Sequence, residues 1–282
     1  MSPEQRLAGI VAEFQDAGMR CLVMGGHAVR YYGLFRHTND FGLHLSPDSW
    51  ADLAEQVQSL RVCAGTPPEE GPSWRPADFR RFRIGTLPGG QEEWLEFWLA
   101  NHLLAPFEEL FARREEGEYG GLWIPFLSLF DLICSKETER AKDWDDIEVL
   151  EELHNQRLLR DAADGRLPLP DALARIRCRR GLEGFARGGH LASADVVAEA
   201  LAKSRLAVTQ ALLLPYSPES ELPEANLRIE PVVLSRLRTV ERGTPLHFAL
   251  VEIVRRQHRK ARQAADQADE ERARKATGGG GL

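Results

Sequence analysis

The residues whose types and spacing suit chemistry lie between positions 22 and 45, LVMGGHAVRYYGLFRHTNDFGLHL. An apolar run ends in Gly25-Gly26 and a helical run follows. A polar stretch then carries Arg36, Thr38 and Asp40 to the start of an alternating segment. A glycine pair at a strand-to-helix turn exposes backbone N–H groups, with no Cβ to obstruct a close-approaching phosphate. Two carboxylates at i and i+2 of a strand share a face and together hold hard divalent cations. Such ions neutralise a triphosphate and activate an attacking hydroxyl for in-line displacement. Here the first carboxylate is Asp40, and the position two residues on is Gly42.

This order of parts resembles the nucleotidyltransferases of the DNA polymerase β superfamily, in particular their minimal and abortive-infection-toxin types. In that pattern a glycine pair opens a helix, and Arg-x-Thr-x-Asp-x-Asp follows at this same separation. Gly25, Gly26, Ala28, Arg36, Thr38 and Asp40 match it, and Gly42 stands where the second aspartate belongs. The resemblance implies an α/β (α+β) fold, a small mixed sheet with packed helices. It implies transfer of a nucleoside monophosphate from an NTP substrate to a hydroxyl of RNA, protein or a small molecule, with Mg2+ or Mn2+ as cofactor. It also implies that Asp40 is a catalytic metal ligand and that Glu96, in Trp94-Leu-Glu-Phe-Trp98, is the carboxylate from a later strand. Gly25, Gly26, Arg36 and Thr38 are then nucleotide-binding residues.

Leu132-Ile-Cys-Ser-Lys136 with Arg140, Asp143 and Asp146 is similar to the helical Lys…(Lys/Arg)-Asp…Asp segment after the sheet in these enzymes. That adds Lys136 and Arg140 to the nucleotide-binding set. On one helix Lys136, Arg140 and Asp143 share a face, and two cations at i, i+4 repel unless an anion compensates. A nucleotide phosphate or Asp143 itself would serve. The likeness spans roughly residues 5–155, about half of the chain.

Plainer accounts stand beside these. Gly25-Gly26 alone is also the signature of a tight turn, and Arg36 of a solvated side chain. Glu96 reads equally as a ligand or as an edge charge, and Lys136 with Arg140 as an ion-pair face with Asp143 and Asp146. His44 shares the strand face of Gly42 and reads as a packing or surface histidine, since imidazole suits Mn2+ or Zn2+ better than Mg2+. The carboxylate missing at Gly42 also motivates a catalytically silent nucleotide-binding or protein-interaction module, including one half of a toxin–antitoxin or defence pair.

The elements that must position these residues follow from periodicity. Leu7, Ile10, Val11 and Phe14 recur at helical spacing over 3–17, and 20–24 fits a buried strand. A second helix runs from His27 to Tyr32 and is stopped by Gly33. Residues 39–45 alternate as a half-buried strand. Ser46-Pro47 predicts a helix start with Trp50, Leu53, Val57 and Leu60 as its stripe. Residues 64–78 read as loop, Phe79–Gly85 and Glu92–Ala100 as strands, and 104–117 as helix. Leu122–Phe126 reads as a short edge strand because it contains a proline. Ser128 with Asp131 resembles a capping box for a helix through Arg140, and Trp144, Ile147, Leu150 and Leu153 mark another.

Beyond about residue 160 strand signals vanish and helical runs appear at 170–179, 193–213, 231–241 and 246–275. This predicts a nucleotidyltransferase-like domain over 1–160 and a helical domain over 161–282 with a disordered Gly-rich tail. The mixed-charge final helix, including Arg255–Arg262, reads as solvated or as a surface for a partner protein. The 282 residues carry a net charge of −7, which argues against chain-wide attraction to nucleic acid or anionic membrane. No run approaches the ~20 apolar residues of a membrane span. The N-terminus lacks a signal-peptide pattern, and the four scattered cysteines fit a reduced, cytoplasmic protein.

Overall fold

The structure is a computed structural model, and it describes residues 1–61, 68–73, 77–87, 89–101, 103–138, 140–191, 193–204, 209 and 212–217. The helices expected at 231–241 and 246–275, the Arg255–Arg262 run, the Gly-rich tail and the partner surface read there lie outside the described residues. The chain divides into two compact units, Met1–Glu137 and Thr138–Leu282. Residue 160, near the boundary expected from composition, falls inside a helix, Ala141–Ala163.

The first unit is built on a seven-stranded mixed sheet among the described residues. Its strands are β1 (Cys21–Met24), β2 (Asp40–Leu45), β3 (Glu69–Glu70), β4 (Phe79–Thr86), β5 (Glu92–Trp98), β6 (Glu115–Tyr119) and β7 (Leu122–Phe126). The spatial order is β3-β4-β5-β2-β1-β7-β6. The pairs β2–β5 and β1–β7 are parallel and the rest are antiparallel. Among the described residues five α-helices accompany the sheet: α1 (Pro3–Asp16), α2 (Gly25–Tyr31), α3 (Leu53–Ser59), α4 (Phe107–Ala112) and α5 (Leu129–Ser135).

Helix α1 begins with a capping box, in which Ser2 and Gln5 each bond the other's backbone N–H. Its buried stripe of Leu7, Ile10, Val11 and Phe14 is the one the periodicity predicts. Phe14 meets Phe97 of β5 edge-on, with ring centroids 5.7 Å apart, so α1 covers the sheet face that carries Phe97. Helix α2 packs on that same face, where His27 stacks on Phe41 of β2 at 5.0 Å. Phe107 of α4 reaches the opposite face and lies against His44 at 5.7 Å.

Several expected elements differ. Strand β2 is buried on both faces after Asp40, because α2 covers one side and α4 the other. The helix expected from Ser46 is interrupted: Pro47–Ser49 is a 3-10 turn and α3 begins at Leu53. The helix expected over 104–117 ends at Ala112, and Glu115–Tyr119 is instead β6, paired with β7. Strand β7 is interior, between β1 and β6. Pro125 is accommodated because β7 pairs with β1 at Val23↔Phe126, one residue past the proline. The helix expected to run through Arg140 stops at Ser135, although Ser128 does accept the Asp131 N–H at 3.2 Å as its cap.

The described part of the second unit is helical: α6 (Ala141–Ala163), α7 (Leu169–Leu173), α8 (Arg179–Arg187), α9 (Ala194–Lys203) and a 3-10 turn at Leu214–Tyr216. The helix expected at 170–179 is thus two helices with extended backbone at Cys178 between them. Cys21 is buried, its thiol pushed up to about 12 by desolvation, while Cys134 and Cys178 are half-buried, and none of these three forms a disulfide. No described helix is long and apolar enough to cross a membrane.

Candidate active site

Strand β1 delivers the chain to Gly25, whose φ of +67° lies in the left-handed region open to glycine. A Cβ there would have nothing within 4 Å, so the turn faces open space. Met24 at the N-cap of α2 supplies no side-chain acceptor for the amides that follow. Gly26 is constrained differently. A Cβ on it would stand 2.6 Å from the Cβ of Thr38, so this glycine makes room for a side chain of the protein itself.

Asp40 opens β2 beside that turn, since the β1–β2 ladder ends at Met24↔Gly42. The parallel β2–β5 register sets Asp40 beside Trp94 and Gly42 beside Glu96. Register partners point to the same face, so Asp40 and Glu96 share the face opposite α1 and α2, displaced by one strand and two residues. The structure therefore brings Thr38 onto Gly26 and against Asp40, with Gly25 opening the turn, and sets Glu96 on the same sheet face as Asp40. Asp40 is exposed, while Arg36, Thr38 and Glu96 are half-buried.

Lys136 and Arg140 are not on one helix. Lys136 is the buried C-cap of α5, and Arg140 is the N-cap of α6, in the second unit. The shared face with Asp143 expected for them is corrected by this break. Around it, Thr138 Oγ1 donates to Asp143 Oδ2 at 2.5 Å and Trp144 Nε1 donates to the Thr138 carbonyl at 2.9 Å. Arg140 Nε donates to the buried Asp143 Oδ2 at 2.7 Å, an ion-pair role within its own unit.

His44 follows Gly42 on the same face but is buried against Phe107. Desolvation pulls its imidazole down to about 4, partly opposed by a bond to the Leu45 carbonyl. It is a packing histidine. Arg81 of β4 was not singled out by sequence, yet it stands in register beside Glu96. Its guanidinium carbon lies 4.4 Å from the Trp94 ring centroid, and its Nε donates to the Pro72 carbonyl at 3.0 Å. The alternation of Phe79-Arg-Arg-Phe-Arg-Ile puts Arg81 and Arg83 on one face, but only the register shows that it is the face of Glu96.

Asp40 and Glu96 are two hard oxygen donors on one face, as Mg2+ or Mn2+ prefers. Among the described residues no three His, Cys, Asp or Glu side chains gather as a metal-binding group.

No family model and no curated protein matches the chain. Among the solved structures that are similar, two align with about half of it. One is the lincosamide antibiotic adenylyltransferase LnuA with lincomycin bound, at 15% identity and a TM-score of 0.39 over 52% of this chain and 95% of that one. The other is an antigenic nucleotidyltransferase-like protein from Paracoccidioides brasiliensis, at 16% identity and a TM-score of 0.35 over 54% of this chain and 77% of that one.

Proposed function

We propose that the chain is a nucleotidyltransferase-like protein that binds an NTP and transfers its nucleoside monophosphate to a hydroxyl of RNA, protein or a small molecule. The observation that carries this reading is the common face of Asp40 and Glu96 on neighbouring parallel strands, at the sheet end where Gly25 turns into α2. Asp40 and Glu96 would hold Mg2+ or Mn2+. When bound, such an ion neutralises phosphate charge and makes the attacking hydroxyl more acidic. The open Gly25 turn offers backbone donors to phosphate oxygens. The resemblance assigns Arg36 to the nucleotide as well. It also assigns Lys136 and Arg140 to the nucleotide.

A second reading is favoured by Gly42. Two carboxylates balance one divalent cation, whereas two-metal transfer normally uses a third. On that reading the chain binds nucleotide without transferring it. Incubation of the purified protein with labelled NTPs, Mg2+ or Mn2+, and total RNA or the protein alone separates the two. Label transfer that disappears in Asp40→Ala supports the enzyme. Nucleotide binding without transfer under either metal supports the silent module. The absence of both transfer and nucleotide binding removes both readings.

A further inference from the structure

Thr38 joins the two halves of the candidate site. Its Oγ1 lies 3.3 Å from the Asp40 carbonyl oxygen, to which it donates, and 3.4 Å from the Asp40 backbone N, from which it accepts. The same side chain covers Gly26, where an added Cβ would lie 2.6, 2.7 and 2.9 Å from Thr38 Cβ, Oγ1 and Cγ2. One residue therefore brackets the peptide unit of the candidate metal carboxylate and sits on the turn assigned to phosphate.

Asp40 sits where one of the two ladders along β2 stops. It is the first residue of β2, and it lies beyond the last β1–β2 partner pair, Met24↔Gly42. On the other side its register partner is Trp94. There the Trp94 N–H donates to the Asn39 carbonyl at 3.4 Å, whereas on the β1 side the ladder has ended and the local Thr38 bonds take the place of strand pairing. Local bonds from a threonine hydroxyl to the backbone two residues on are the usual means of fixing a chain at such a point.

We infer that Thr38 is a positioning residue, which fixes the Asp40 backbone against the Gly25-Gly26 turn, and not a nucleotide ligand. This inference rests on the reading of Asp40 as a metal carboxylate. It has a directional consequence. The hydroxyl does the positioning and the methyl fills space over Gly26, so the two functions separate by substitution. Thr38→Val keeps the shape and removes the hydroxyl, and Thr38→Ser keeps the hydroxyl and removes the methyl.

The test uses the full chain and measures Mn2+ affinity by electron paramagnetic resonance, with and without ATP. Backbone hydrogen exchange over residues 38–42 and thermal melts are taken alongside. Thr38→Val is expected to weaken Mn2+ binding about tenfold and to speed exchange at Asp40, while Thr38→Ser stays within about threefold of wild type. Asp40-dependent Mn2+ binding that Thr38→Val leaves unchanged overturns the positioning role alone. So does a Thr38→Ser loss larger than that of Thr38→Val, which would make packing the function. Wild-type Mn2+ binding that is absent, or that Asp40→Ala does not alter, removes the reading of Asp40 and the positioning role with it.

Discussion

Gly42 and Glu96 are register partners across the parallel β2–β5 pair. A Cβ on Gly42 would meet the Met24 carbonyl oxygen at 3.4 Å and Met24 Cγ at 3.5 Å, which are ordinary contacts. Gly42 is also absent from the glycines with positive φ, so its backbone suits any L-residue. The fold therefore does not require glycine where the resembling enzymes carry a carboxylate. Gly42→Asp is expected to fold and to tighten Mn2+ binding by about tenfold or more, measured by the same resonance titration. Without metal, a second carboxylate next to Glu96 is expected to cost about 1–3 kcal/mol in urea unfolding. Added metal should restore that loss. Unchanged Mn2+ affinity in a well-folded Gly42→Asp protein would count against a metal site on this face.

Gly26 and Thr38 make a coupled pair. Gly26→Ala forces a Cβ into the side chain of Thr38, and overpacking of this kind costs about 1–3 kcal/mol. Thr38→Gly removes every atom that the new Cβ would strike. The double variant is therefore expected to be more stable than the sum of the two single effects by about 1 kcal/mol or more in denaturant unfolding. Strict additivity would mean that the turn relaxes in some other way.

The sequence shows some of this and hides the rest for identifiable reasons. The stripe Leu7, Ile10, Val11 and Phe14 announces α1, which buries one face of helical period, and the alternation from Asp40 to Leu45 announces β2 although that strand is buried on both faces after Asp40. Glu115-Glu-Gly-Glu-Tyr119 reads as helix by propensity, and only pairing with β7 makes it a strand. Gly181 and Gly184 argue against α8 by propensity. They are there because a Cβ would strike Asn155 at 2.5 Å and Leu159 at 3.0 Å, where α8 lies close on α6. The break between Lys136 and Arg140 is marked by the Thr138 hydroxyl bond to Asp143 and the Trp144 Nε1 bond to the Thr138 carbonyl, which no periodicity encodes. In the candidate site, spacing shows Asp40 and the glycine turn. That Arg81 neighbours Glu96, and that Thr38 sits on Gly26, are tertiary facts.

Asp131 anchors the cap of α5. Its two carboxylate oxygens accept from Nε and Nη2 of Arg113, both at 2.7 Å, and Ser128 Oγ donates to Oδ2 at 2.6 Å. Asp131 is 2% exposed, so its charge depends on these partners. Arg113 is partly solvated and can rehydrate. Asp131→Asn keeps the shape, removes the charge and opposes the Arg113 donors with an amide. The expected loss is about 2 kcal/mol, read from chemical denaturation of the first unit's fluorescence. A loss below about 0.5 kcal/mol would class the pair with ordinary surface ion pairs.

His27 gives the fold an acid limit. The ring is fully buried between Phe41 and Tyr119, with Nδ1 at 2.8 Å from the Tyr119 hydroxyl and Nε2 without a hydrogen-bond partner. Whichever way the Tyr119 bond runs, a second proton would create a buried cation with an N–H at Nε2 that nothing accepts. Desolvation therefore pulls His27 from 6.5 down to about 4. The folded value lies below the unfolded one, so the unfolded state binds more protons between them. Stability from this group is then fully present above about pH 6.5 and is lost as pH falls toward about 4. A shift from 6.5 to about 4 corresponds to about 3 kcal/mol at the acid end, by the conversion of about 1.4 kcal/mol per unit. His44 shifts in the same direction for the same cause and adds to the slope. His27→Gln keeps a hydrogen-bonding group toward Tyr119 and cannot titrate. Urea midpoints measured across this pH range should fall less steeply for His27→Gln than for wild type, even if the variant is less stable at neutral pH. Parallel slopes would show that His27 gains its proton without cost, and that the buried Nε2 finds an acceptor in solution.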